Sequence, residues 1–167
     1  MKKITFWLSL CLLGLFSACQ ADNSAADEDT TETMDLTSEL PGTWQTIQIN
    51  VALNTADGLD TFRTESLTED LWRSTFQMEP PIYYFEPDNK YRRVHRNLNG
   101  DVIDEGRGMW TVFGDTLNLT EPDASYQYIV RAGQGRATFR TFLDWDEDGE
   151  ADDEYQALQR KISIGVE

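Results

Sequence analysis

Beyond residue 40 the chain alternates between apolar and polar residues with a period of two. Tyr126, Tyr128 and Val130 interleave with Gln127, Ile129 and Arg131. Ala137, Phe139 and Leu143 interleave with Thr138, Arg140 and Phe142. Successive side chains of a strand point to opposite faces, so this pattern predicts strands with one wet face. Turn residues punctuate it often: Asp57-Gly58, Pro87-Asp88-Asn89, Asn99-Gly100, Gly114-Asp115, Pro122-Asp123 and Gly133-Gln134-Gly135. The short runs between them are rich in Tyr, Phe, Thr, Val and Ile, as expected of strands joined by close turns. Asn99-Gly100 suits a two-residue hairpin turn, because both residue types tolerate positive φ. One stretch departs from the alternation. Ser66-Leu67-Thr68-Glu69 has the form of a capping box, and Leu67, Leu71 and Trp72 follow at helical spacing. A short helix over residues 66–76 is predicted, ending before Pro80-Pro81. About eight or nine consecutive short strands predict an all-β fold. An up-and-down antiparallel β-barrel removes exposed edges by closure, and a sandwich is the second choice.

The N-terminus follows a different rule. Met1-Lys2-Lys3 is positive, residues 4–16 are mostly apolar, and Ser17-Ala18-Cys19 offers small residues and a thiol. The apolar run is too short to span a hydrocarbon core of about 30 Å as a helix. The three-part pattern is that of a secretory signal. Cys11 and Cys19 are the only cysteines, so beyond the signal no disulfide stabilises the chain. Residues 20–39 carry seven acids, no base and no aromatic residue. Such a segment cannot offset its ordering entropy by burial, and is expected to be a tether of roughly 25 Å r.m.s. span. The expected organisation is therefore a signal (residues 1–18), Cys19 with an acidic tether (residues 19–39), and one domain (residues 40–167).

Charge adds a second localised feature. The formal net charge is −16, but eight acids and no base crowd into residues 144–154. Apart from the tether and this loop, the chain is nearly balanced. No basic footprint for nucleic acid exists. In Asp144-Trp145-Asp146-Glu147-Asp148-Gly149-Glu150-Ala151-Asp152-Asp153-Glu154, acids stand at positions 1, 3 and 5 with glycine at 6. That is the opening of a calcium loop. Calcium takes about six to eight hard oxygens, and alternate side chains of a curled loop converge on one point. Asp144, Asp146 and Asp148 are the first candidate ligands, Glu150 adds its carbonyl, and Asp152 or Asp153 closes the shell. Tyr155 stands where an EF-hand has its bidentate glutamate, so a shorter loop flanked by strands is expected. The plainer reading is a solvated acidic turn. Mutual repulsion of eight like charges opposes it.

Two resemblances give these patterns a family context. Leu15-Phe16-Ser17-Ala18-Cys19 resembles a bacterial lipoprotein lipobox. The resemblance implies lipidation of Cys19 by acyl chains such as palmitate, and a membrane anchor at the outer membrane. Acids just after Cys19 resemble the export signal of surface-exposed lipoproteins. Leu40-Pro41-Gly42-Thr43-Trp44 contains a Gly-x-Trp, similar to the lipocalin signature. Tyr84-Phe85-Glu86-Pro87-Asp88-Asn89-Lys90-Tyr91, Gly108-Met109-Trp110 and Gly114-Asp115-Thr116-Leu117 follow. Their order is similar to that of lipocalin-like lipoproteins of Bacteroidota. The resemblance implies a lipocalin-like barrel in which Trp44 packs at the closed end under a basic residue of the last strand. Arg160 is the candidate for that residue.

The remaining chemistry is sparse. Lys90, Arg92, Arg93 and Arg96 read as a wet strand face, and His95, the only histidine, as a surface residue. No serine sits in a nucleophile-elbow context, and no Gly-rich loop precedes a helix. No enzyme activity is expected. The expected function is a lipid-anchored binding protein for a small apolar or amphipathic ligand, with calcium in its acidic loop. The alternative is a calcium-stabilised structural or adhesion module with a filled barrel.

Overall fold

The computed structural model describes residues 35–55 and 61–165. The signal, Cys19 and the tether up to residue 34 lie outside the described residues. The elements are α1 (Leu36–Glu39), β1 (Gly42–Leu53), β2 (Arg63–Thr68), α2 (Glu69–Phe76), β3 (Ile82–Phe85), β4 (Lys90–Arg96), β5 (Val102–Phe113), β6 (Thr116–Thr120), β7 (Ser125–Gly133), β8 (Arg136–Leu143) and β9 (Asp153–Ser163). No helix among the described residues is long and apolar enough to cross a membrane.

Every strand pairs antiparallel with its neighbour, and β9 returns to β1. The result is a closed eight-stranded barrel with one extra strand, as the alternation predicts. The long β1 makes this possible. On one edge it pairs with β9 from Thr43 to Ala52. On the other, residues 42–45 pair with β3 and residues 48–53 pair with β2. β2 is therefore the added strand. Turns at residues 86–89, 114–115 and 134–135 gather at one end, the base, together with α1. Residues 97–101, 121–124 and 144–152 gather at the other end, the mouth.

The base is plugged. Trp44, Phe85, Trp110, Leu117, Val130 and Phe139 point inward and are almost wholly buried. Phe85 meets Trp110 edge-on at 6.0 Å and Phe139 at 6.3 Å. Trp44 Nε1 donates to the Leu40 carbonyl at 2.7 Å. Lys161 Nζ lies 4.9 Å from the Trp44 ring centroid and donates to the Glu39 carbonyl at 2.6 Å. The basic residue over Trp44 is thus Lys161, not Arg160. Strand parity decides it. Ala157 and Gln159 are buried in the lumen, so Lys161 follows them inward. Arg160 turns outward and donates to Gln45 Oε1 at 2.9 Å.

Residues 35–39, at the end of the expected tether, are described together with the barrel and include α1. The Asp35 carboxylate accepts the Thr37 N–H at 3.0 Å, and Leu36 and Leu40 bury against the base. The second helix begins at Glu69, not Ser66. Ser66 belongs to β2, where its hydroxyl donates to Asn50 Oδ1 at 2.8 Å instead of capping a helix. Gln77, in the left-handed region at φ 56°, ends that helix. The Asn99-Gly100 turn is longer than two residues. Only Gly100 has positive φ, at 89°, and Asn97 Oδ1 accepts the N–H groups of Asn99 and Asp101 at 2.9 Å. A three-residue loop with glycine in the last place results.

Candidate functional site

The acidic loop and the upper lumen meet at the mouth. The loop joins β8 to β9, and the ladder between these strands shapes it. Leu143 pairs with Asp153, so Asp153 lies alongside Asp144 despite the nine-residue separation in sequence. Asp153 is buried, at 1% exposure. Its Oδ2 accepts the Trp145 N–H at 2.8 Å and its Oδ1 accepts the Asn54 N–H at 3.2 Å. Gly149, at φ 96°, donates to Asp144 Oδ2 at 3.1 Å. That bond folds the loop back on its start, in a conformation that favours glycine.

Three carboxylates converge. Asp144, Asp146 and Asp153 each place one oxygen within 4.8 Å of the other two. The carboxylates of Asp148 and Asp152 have other partners. Asp148 Oδ1 accepts the Glu150 N–H at 2.9 Å, and its Oδ2 accepts the Thr55 hydroxyl at 3.0 Å. Asp152 Oδ2 accepts from Asn54 Nδ2 at 3.1 Å. Glu150 is exposed. All three converging acids are among the residues expected from the sequence, and of the two alternatives for closing the shell, Asp152 and Asp153, strand register brings in Asp153. Such a set offers hard oxygens to a divalent cation.

Above the aromatic plug, the inward positions become polar. Tyr83, Arg93, Tyr126, Tyr128 and Tyr155 share the inward parity of their strands, and Glu121 directly follows β6. Tyr128 packs on Phe139 at 5.7 Å, and Trp145 of the acidic loop covers Tyr155 at 6.0 Å. Trp145 Nε1 donates to Glu65 Oε2 at 3.3 Å, tying the loop to β2. Tyr91 donates its hydroxyl to Glu121. Arg93 lies 3.7 Å from Glu121 and 3.5 Å from Asp104. Its Nη1 is 2.9 Å from His95 Nε2. A guanidinium only donates, so this ring nitrogen accepts and the imidazole is neutral.

Burial and the neighbouring Arg93 charge push the His95 pKa down. Burial raises the pKa of Tyr83, Tyr128 and Tyr155. Their hydroxyls therefore keep their protons at neutral pH. Burial and the Glu121 carboxylate raise Tyr91 likewise. Glycines on β5 make room for this layer. A Cβ at Gly106 would meet the Glu121 carboxylate at 2.4 Å, and one at Gly108 would meet the Thr120 carbonyl at 2.0 Å.

The wet-face reading of the basic run holds for Arg92, which lies outward over Tyr84 with its guanidinium 4.0 Å from the ring. It fails for Arg93 and His95. Both share the inward parity of buried Tyr91, and that alternation was the available signal. Two hollows of the described residues lie away from the mouth. One of about 600 Å³ is lined by Glu86, Asp88, Arg92, Arg107 and Ile164; the other, of about 280 Å³, sits on the β7–β8 hairpin. Charge lines the first and no layered set of inward side chains serves either, so the mouth is the better candidate. Compared with known proteins, the chain matches no family model and no curated relative.

Proposed function

We propose that this chain is a non-catalytic, lipocalin-like lipoprotein, held at the outer membrane through Cys19, that binds a small ligand at the barrel mouth. One observation carries the reading: the barrel is asymmetric along its axis. Its base is sealed by Trp44, Lys161 and α1, whereas inward side chains near the mouth are polar and in part reached by solvent. Tyr126 points inward yet is 38% exposed. A sealed base and a receptive mouth are what a cup requires, and the aromatic lining supplies contact area with few polar groups to orient a guest. The tyrosine lining favours an amphipathic guest over a purely apolar one.

Calcium in the acidic loop belongs to the same proposal. Asp144, Asp146 and Asp153 form half of a calcium shell, and water or backbone carbonyls complete it. The loop's Trp145 packs on Tyr155 and bonds Glu65 of β2, so ordering the loop orders that side of the rim. A second reading is a calcium-stabilised structural module, favoured by the filling of the lower lumen with Phe85, Trp110 and Phe139. Native mass spectrometry of the purified chain separates the two. A co-purified small molecule, lost on gentle unfolding, supports the binding protein. Calcium alone supports the structural module.

A further inference from the structure

We propose that the outer face of the β7–β8 hairpin, at the base of the barrel, docks through Arg131 and Arg136 on the phosphate headgroups of an anionic membrane surface. This rests on the Cys19 anchor proposed above and adds a second contact between chain and membrane. The first observation is a pair of uncompensated charges. Ala132 and Ala137 are buried, so Arg131 and Arg136 turn outward by strand parity, and both are exposed. Neither has an acid within ion-pair distance among the described residues. Other arginines of the outer wall do. Arg107 meets Glu105 at 2.7 Å, Arg140 meets Glu154, and Arg160 lies 3.6 Å from Glu69. Arg136 also stands directly opposite Arg160 in the β8–β9 ladder, and like charges so placed oppose folding. Arg131 pairs with Thr138, one diagonal step from Arg136. A hollow of about 280 Å³ is lined by both arginines and by Gly133, Gln134 and Thr138. Two guanidinium forks on one such hollow match the oxygens of a phosphate group.

Apolar neighbours select a bilayer over a dissolved anion. Phe113, Thr116 and Ile129 form one cross-strand row on the outer face, and Ile129 stands two residues from Arg131. Phe113 is 85% exposed and Ile129 44%, and Ile162, two residues beyond Arg160 on β9, is 48% exposed. Cationic heads beside exposed apolar side chains suit the boundary between headgroups and acyl chains. Chain order selects the end of the barrel. Asp35, the first described residue, caps α1, which lies against β7. Cys19 is only 16 residues earlier, a reach of about 22 Å r.m.s. by the random-coil rule. The eight acids of residues 144–154 stand at the opposite end, away from an anionic surface. Each basic residue near such a surface strengthens association about fivefold. The five acids of residues 20–34 work against the approach, which makes the whole chain the stricter test.

The test is hydrogen exchange of the acylated protein on two kinds of vesicle, phosphatidylcholine alone and phosphatidylcholine with phosphatidylglycerol in equal parts. Flotation with the neutral vesicles reports the anchor by itself. Amides of residues 131–138 are expected to exchange several-fold more slowly on the anionic vesicles, and those of residues 97–101 at the mouth equally on both. Arg131→Gln combined with Arg136→Gln is expected to remove the difference. The melting temperature is not expected to fall, because the substitution relieves like charges. A chain that floats with both vesicles and shows no difference overturns the docking and leaves the anchor standing. A difference that survives the double substitution overturns the site. Inorganic phosphate that protects the hairpin on neutral vesicles as well as phosphatidylglycerol does overturns the membrane as the source of the phosphate. A chain that floats with neither vesicle overturns both readings.

Discussion

Lys161 closes the base of the barrel with one ammonium that makes two contacts. It lies over the Trp44 ring and donates to the last-turn carbonyl of α1. A cation–π contact and a charged hydrogen bond in a partly buried place are together worth about 2 kcal/mol. Lys161→Met is therefore expected to lower unfolding stability by about that much in urea denaturation. Arg160→Met, on the outer face, is expected to change it by less than about 0.5 kcal/mol. Equal effects would return the locking role to Arg160. His95 governs the other end. Its folded pKa lies below the ordinary 6.5 because it is buried beside Arg93, with Asp104 opposing the effect from β5. The unfolded chain then takes up the proton more readily than the folded one. The stabilisation is complete above about pH 6.5 and declines as pH falls toward the lower folded value. Melting temperature measured from pH 7.5 to 5 is expected to fall, and less steeply in His95→Gln. Parallel curves would remove His95 as the cause.

The acidic loop is the element whose behaviour most depends on solvent composition. Its backbone is pinned by Asp153 and by the Gly149 to Asp144 bond, yet three carboxylates face one another at its centre. Like charges so close repel strongly unless a cation intervenes. Calcium at 100-fold excess over its dissociation constant is expected to raise stability by about 2.7 kcal/mol, and chelator to remove the gain. The convergence separates the acids by role. Asp146→Asn is expected to abolish the calcium response. Asp148→Asn, whose carboxylate bonds Thr55 and the Glu150 N–H, is expected to retain most of it. Melting curves of both variants with calcium and with chelator decide this. The reverse ranking would restore the linear calcium-loop reading, in which Asp148 ligates directly.

At the scale of the whole molecule, closure through β1 and β9 distributes stability unevenly. β1 is paired on both edges, whereas β2 is the terminal strand of the sheet order and pairs with β1 alone among the strands. Amides of residues 43–46 and of β9 are expected to show the slowest hydrogen exchange, and those of β2 to exchange much sooner. Uniform protection across β1, β2 and β9 would mean that the barrel opens only as a unit. The negative charge also takes on a molecular meaning. Of the formal −16, the loop's eight acids stand at the mouth. The mouth therefore carries a concentrated negative charge, while the base carries the aromatic plug.

The sequence by itself determined the class of fold and the location of its unusual chemistry. Period-two alternation in β7 and β8 is a one-dimensional signal, because parity along a strand is local. Crowding of acids in residues 144–154 and the two-cysteine count are equally local. Only the tertiary structure decided what depends on register. It placed Asp153 beside Asp144, set Lys161 rather than Arg160 over Trp44, and turned Arg93 and His95 into the lumen. It drew Ser66 into a strand although its neighbours spell a helix cap, because pairing with β1 and a bond to Asn50 satisfy it better there. A strand's inward face is defined by what the other strands surround, and no single run of residues contains that information.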